Sequence, residues 1–79
     1  MRKEYTNKFN EVYIGEIWTS RKQKIAVKRL EDDYGDLAFV DIRRYYKDED
    51  GDMQPSNLGV RIKAHHIEQL MELLNKAVR

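Results

Sequence analysis

"LGVRIKAHHIEQLMELLNKAV", residues 58–78, is where the chain changes its period. Up to Lys63 the residues alternate, Val60 and Ile62 facing one way and Arg61 and Lys63 the other, as on a strand. From Ala64 the apolar spacing lengthens to about 3.6 residues. Ile67, Leu70, Met71, Leu74 and Val78 then fall on one helical stripe, which Leu73 widens. The stretch therefore predicts a strand followed by a C-terminal helix.

Working back from it, every earlier segment reads as a strand or a turn. "VYIGEIWTS", residues 12–20, is rich in β-branched and aromatic residues and predicts the first strand. "SRKQK" turns the chain into "KIAVKRL", residues 24–30, with Ile25 and Val27 opposite Lys24, Ala26 and Lys28. "EDDYGD" is a polar connection with Gly35 as its positive-φ residue. "LAFVDIRRYY", residues 37–46, is the longest strand, with Ala38, Val40 and Ile42 on one face and Leu37, Phe39, Asp41, Arg43 and Tyr45 on the other. Asp50-Gly51 signals the next hairpin. Residues 1–10 read as a flexible tail and 11–79 as one domain. The fold class is α+β: a four-stranded curved antiparallel sheet followed by one C-terminal helix, simplest with the helix across one sheet face.

At 79 residues, 41% hydrophobic and 37% charged, the domain buries little apolar surface per residue. Chains of this size lean on a metal, disulfides or a second subunit. With no cysteine, disulfides, thiolate metal sites and thiol nucleophiles are excluded, which points to a subunit. One helix covers one face of a sheet, so the other face is polar or meets a partner, and the wide helix stripe and sheet edges offer material for a homodimer. No apolar run reaches membrane-spanning length and the charged N-terminus lacks a signal-peptide core, so the protein is expected to be cytoplasmic, nucleoid-associated in a prokaryote or nuclear in a eukaryote. The net charge of +1 hides blocks of +5, −6 and +2 over residues 1–30, 31–54 and 55–79. A local basic surface is compatible with that balance if the acids cluster at loop tips.

The acidic knot Asp48, Glu49, Asp50 and Asp52 fails as a calcium loop. Counted from Asp48, the glycine position holds Met53 and the glutamate position holds Gly59. His65 and His66 are adjacent on a helix and diverge, so they do not chelate as an i, i+4 pair would. No nucleophile elbow or phosphate-cradling glycine loop is present, so neither an enzyme nor a cofactor is expected. Among the aromatics, Trp18 and Phe39 read as packing residues, while Tyr34 sits in a polar loop. Tyr45 and Tyr46 stand beside Arg43, Arg44 and Lys47. Rings next to basic residues on an open sheet suit single-stranded nucleic acid, whose bases stack while Lys and Arg track the phosphates.

Asp41-Ile42-Arg43, Tyr45-Tyr46, the acids around Gly51, Met53, Pro55, Gly59-Val60 and Gln69-Leu70 together resemble the positive cofactor four family of transcriptional coactivators. The resemblance is close over residues 37–78 and rests on strand pattern alone over 12–36. It implies a ββββα homodimer joined through helix residues Ile67, Leu70, Met71, Leu74 and Val78. It also implies non-sequence-specific binding of single-stranded DNA in transcription, replication or repair, with transcription or replication proteins as further partners and no membrane. The implied DNA-binding residues are Lys24, Lys28, Tyr34, Arg43, Tyr46, Lys47, Gln54, Arg61 and Lys63, with Tyr46 stacking on a base and Tyr34 as the nearest second ring. Gln54, Asn57 and Leu58 are neutral where the family is basic. Strict alternation places Arg43 and Tyr46 on opposite faces, so they share a site only if the strand bends or bulges. A protein-interaction module of the same fold and a single-stranded RNA binder are the alternatives.

Overall fold

The computed structural model describes residues 9–79. Four strands, β1 (Asn10–Trp18), β2 (Gln23–Glu31), β3 (Leu37–Lys47) and β4 (Met53–Lys63), form one antiparallel sheet in the order β1-β2-β3-β4. A 3₁₀ turn (Ala64–His66) leads into α1 (Ile67–Ala77). The ββββα order is as the sequence pattern predicts. Most of the expected tail lies outside the described residues, but Asn10 opens β1, and the Phe9 ring meets Phe39 edge-on at 5.4 Å.

Two hairpin tips are built alike. In each, an aspartate at the start folds its carboxylate back onto the loop. Asp32 Oδ1 accepts from the Tyr34 and Asp36 amides, and Asp48 Oδ1 accepts from the Asp50 and Asp52 amides. Gly35 and Gly51 take the positive φ, at 83° and 88°, that closes each loop. The acidic knot is thus a folded turn, with Asp48 Oδ2 also accepting from Gln54 Nε2 at 3.0 Å.

Two irregularities decide which side chains share a face. On β1 one extra residue, Ile14, separates the pairs Tyr13↔Lys28 and Gly15↔Val27, which inverts the alternation. On β4 the register jumps from Arg43↔Gly59 to Tyr45↔Pro55, so Ser56, Asn57 and Leu58 oppose Arg44 alone. Two surplus residues leave the alternation of β4 unchanged. Ser56 organises this bulge, donating to the Arg44 carbonyl at 2.8 Å and accepting from the Leu58 amide. β4 begins at Met53, five residues before the expected "LGVRIK", because an edge strand tolerates Pro55.

The helix does not lie across the sheet. None of its residues is buried, and it packs chiefly against the 3₁₀ turn that introduces it. Nor is Trp18 a core residue: it is 48% exposed. Among the described residues, Ala26 and Leu30 are the only fully buried apolar side chains. One sheet face carries Val12, Ile17, Ile25, Val27, Val40, Ile42, Val60 and Ile62, with the helix stripe equally open. An amphipathic helix with no side chain buried among the described residues marks a surface built for another chain.

Candidate nucleic-acid interface

The opposite face is a grid set by the strand register. Across it run four rows: Trp18, Lys24, Tyr45 and Pro55; Glu16, Ala26, Arg43 and Gly59; Tyr13, Lys28, Asp41 and Arg61; Glu11, Leu30, Phe39 and Lys63. Five of the expected DNA-binding residues, Lys24, Lys28, Arg43, Arg61 and Lys63, are brought together here. A shallow cavity in the middle is lined by Lys28, Asp41, Arg43, Tyr45, Pro55 and Arg61. Gly59 keeps the grid flat beneath Arg43. A Cβ there would lie 2.8 Å from the Ile42 carbonyl oxygen and 2.9 Å from Arg43 Cζ.

The remaining expected residues sit elsewhere. The β2–β3 register runs unbroken from Ala26↔Arg43 to Gln23↔Tyr46, so the bend that would unite Arg43 and Tyr46 is absent. The irregularity falls on β4 instead, and Tyr46 stays on the apolar side with its partner Gln54. Gln54 is engaged by Asp48 in the hairpin. Lys47 ends β3, and Tyr34, 88% exposed, projects from the tip of the β2–β3 hairpin. Of the adjacent tyrosines, the ring among the basic residues is that of Tyr45, 5.6 Å from both Lys24 Nζ and Lys28 Nζ.

Sequence reading placed Asp41 on this face but missed Glu11, Glu16 and the pairing of all three acids with its cations. Lys24 Nζ meets Glu16 Oε1 at 2.6 Å, and Lys28 Nζ meets Glu11 Oε1 at 3.0 Å. Asp41, 4% exposed, accepts from Arg43 Nη2 at 3.0 Å and Arg61 Nε at 3.3 Å. Arg43 Nη1 also donates to the Ser56 carbonyl, tying the β4 bulge to the site. Only the β1 bulge puts Glu16 and Tyr13 on one side, and the signal for it is the small residue in "YIGEIW".

These pairs fix the charge states. Lys24, then Tyr13, bring the Glu16 carboxyl down to about 2. Burial alone would push Asp41 up, but Arg43 first and Arg61 second hold it below the usual carboxylate range. Tyr45 and then Glu11 push the Lys28 ammonium up. Both carboxylates have folded values below their unfolded ones, so the folded state binds fewer protons. The Glu16 contribution is complete above about pH 4.5 and is lost as pH falls through about 2, and that of Asp41 is lost on the same acid side. Acid titration followed by tryptophan fluorescence should therefore show a flat baseline down to about pH 4.5, with the transition below it.

A model of the family described as Transcriptional Coactivator p15 (PC4) matches residues 17–73. The chain belongs to that family. Among solved structures, a PC4 homolog from Burkholderia pseudomallei superposes with a TM-score of 0.73 at 27% identity, covering 89% of this chain and all of that one. No curated protein sequence matched at a significant level. Membership gives this chain the coactivator-type, nucleic-acid-binding character of PC4 proteins, and the five cations of the grid lie within the matched region with Trp18 and Tyr45.

Proposed function

We propose that the protein binds single-stranded DNA without sequence preference, as a homodimer acting in transcription, replication or repair, and without catalysis. The supporting observation is the grid: five cations interleaved with exposed rings on an open sheet face, with the acidic hairpin tips kept at the strand ends. Unpaired bases offer faces for the rings, and the phosphates exchange places with Glu11, Glu16 and Asp41 around the cations. A duplex hides its base faces and gains only the charge contribution.

The second subunit is argued from burial. Two fully buried apolar side chains do not hold a domain of this size together. The apolar sheet face and the helix stripe of Ile67, Leu70, Met71, Leu74 and Val78, with Leu73, supply the missing core when a second copy closes over them. Met71, Leu73, Leu74 and Val78 are each more than half exposed in the single chain.

Salt titration of oligo-dT binding tests the charge count. Five cations less three carboxylates leave the face a net of two positive charges. Each neutralised phosphate contributes about 0.7 to the slope of log K against log salt. The slope should therefore fall between about −1.4, if the internal pairs persist, and about −3.5, if every cation reaches a phosphate. A slope near zero would remove this face from the binding. RNA offers the same phosphates and base faces, so an equal-length RNA strand belongs in the same titration.

A further inference from the structure

Around the end of β1 the grid holds a cluster whose rings the charge count does not use. Tyr13, Trp18 and Tyr45 surround Lys24 Nζ, with ring centroids at 5.8, 5.3 and 5.6 Å. Glu16 closes the cluster from below. It accepts from Lys24 Nζ at 2.6 Å, from Trp18 Nε1 at 2.9 Å and from the Tyr13 hydroxyl. Three rings about an ammonium, with a carboxylate at the base, form a cation box. Here the chain's own lysine fills it.

The geometry points to a gated base-stacking subsite, with Lys24 as the gate and Glu16 as its latch. In the free protein Lys24 covers the ring faces. When a strand arrives, a phosphate draws Lys24 Nζ outward and an unpaired base lies against Trp18. This inference rests on the single-strand reading of the face and adds to it a named ring and a control on affinity.

Three observations carry it. Tyr13 and Trp18 are 50% and 48% exposed, so their faces are within reach of a ligand. Their polar atoms are tied to Glu16, so the rings keep their orientation after Lys24 leaves, and a pre-set platform loses little freedom on binding. Lys24 stands between Trp18 and Tyr45 in one row of the grid, so a phosphate that takes its ammonium passes directly over the rings. Glu16 opposes that exchange twice: it holds the lysine, and its own charge repels the phosphate.

Trp18 is the chain's single tryptophan, so its fluorescence reports this subsite alone. The full chain should be titrated with labelled oligo-dT and with an abasic strand of equal length. Anisotropy then reads binding and tryptophan emission reads stacking. Both strands should bind, and only oligo-dT should quench Trp18. Trp18→Ala should weaken oligo-dT binding about fivefold or more while leaving the abasic strand nearly unchanged. Glu16→Gln removes the charge and still orients the rings, its carbonyl oxygen accepting from Trp18 Nε1 while its amide donates to the Tyr13 hydroxyl oxygen. It should tighten binding of both strands severalfold and steepen the salt slope by about 0.7, one added phosphate. Oligo-dT binding without quenching, or a Glu16→Gln variant that binds no tighter, overturns the subsite while the broader reading stands. Failure of the unaltered protein to bind oligo-dT at all overturns both. The quenching and Glu16→Gln arms decide the matter even if Trp18→Ala does not fold.

Discussion

Leu74→Lys should abolish the folded protein, leaving no folded monomer behind. Leu74 lies on the helix stripe, more than half exposed in the single chain. Burying such a side chain against a second copy contributes about 1.5–3 kcal/mol, and the symmetry of a dimer counts it twice. A charged ammonium there reverses the sign of that contribution. The helix then loses its partner, and the apolar sheet face opens to water. What remains, Ala26 and Leu30 with Phe9 against Phe39, is too little to offset the ordering of the chain. The expected result is a far-UV spectrum without a cooperative thermal transition. The unaltered protein should melt cooperatively, with a Tm that rises with protein concentration, because in the proposed dimer dissociation and unfolding are one event. A concentration-independent Tm, or a well-folded Leu74→Lys monomer, would show that the single chain carries its own core.

Asp41→Ala should give the second largest loss, about 2–4 kcal/mol. Asp41 is nearly inaccessible, and it accepts from Arg43 on its own strand and from Arg61 on β4. Without it, two guanidinium groups on neighbouring strands face each other across a half-buried surface. Arg61 is the more exposed and can turn outward, whereas Arg43 is pinned between Gly59 and the Ser56 carbonyl. Asp41→Asn keeps one acceptor oxygen and should cost less, about 1–2 kcal/mol. Urea unfolding of the three proteins at one concentration gives the ranking. Per folded molecule, DNA binding should not weaken in either variant, since the face gains one net positive charge. A loss of binding in parallel with stability would mean that Asp41 orients the arginines for the ligand.

How much of this was legible depends on which neighbours a residue answers to. Within β2 and β3 simple alternation sorts Lys24, Lys28 and Arg43 from Ile25, Val27 and Ile42, and the structure keeps that sorting. The period change after Lys63 gave the helix for the same reason. β4 was legible only from Leu58, because Pro55 and the polar "QPSN" do not resemble a strand, and an edge position is what permits them. The position of α1 was not legible: amphipathicity shows that a stripe is apolar without showing what covers it.

The site was half legible. The cations and Asp41 follow from alternation, but Glu11 and Glu16 meet Lys28 and Lys24 through the register of β1 on β2, which a linear pattern does not contain. The Ile14 bulge is the sharpest case. It swings Tyr13 onto the side of Glu16 and Trp18, where its ring and that of Trp18, the latter expected to pack, stand exposed beside Lys24. Tyr46 is the converse. The bulge that would have joined it to Arg43 lies on the neighbouring strand, so Tyr45 occupies the basic face.

Competition on one labelled oligo-dT strand tests the central claim most directly. Unlabelled single-stranded DNA and duplex DNA of equal length are added to the preformed complex at moderate salt. The grid of cations and open rings predicts displacement by the single strand at concentrations well below those needed for the duplex, because only unpaired bases can stack. Equal displacement by both would reduce the face to a phosphate-binding surface and contradict the account.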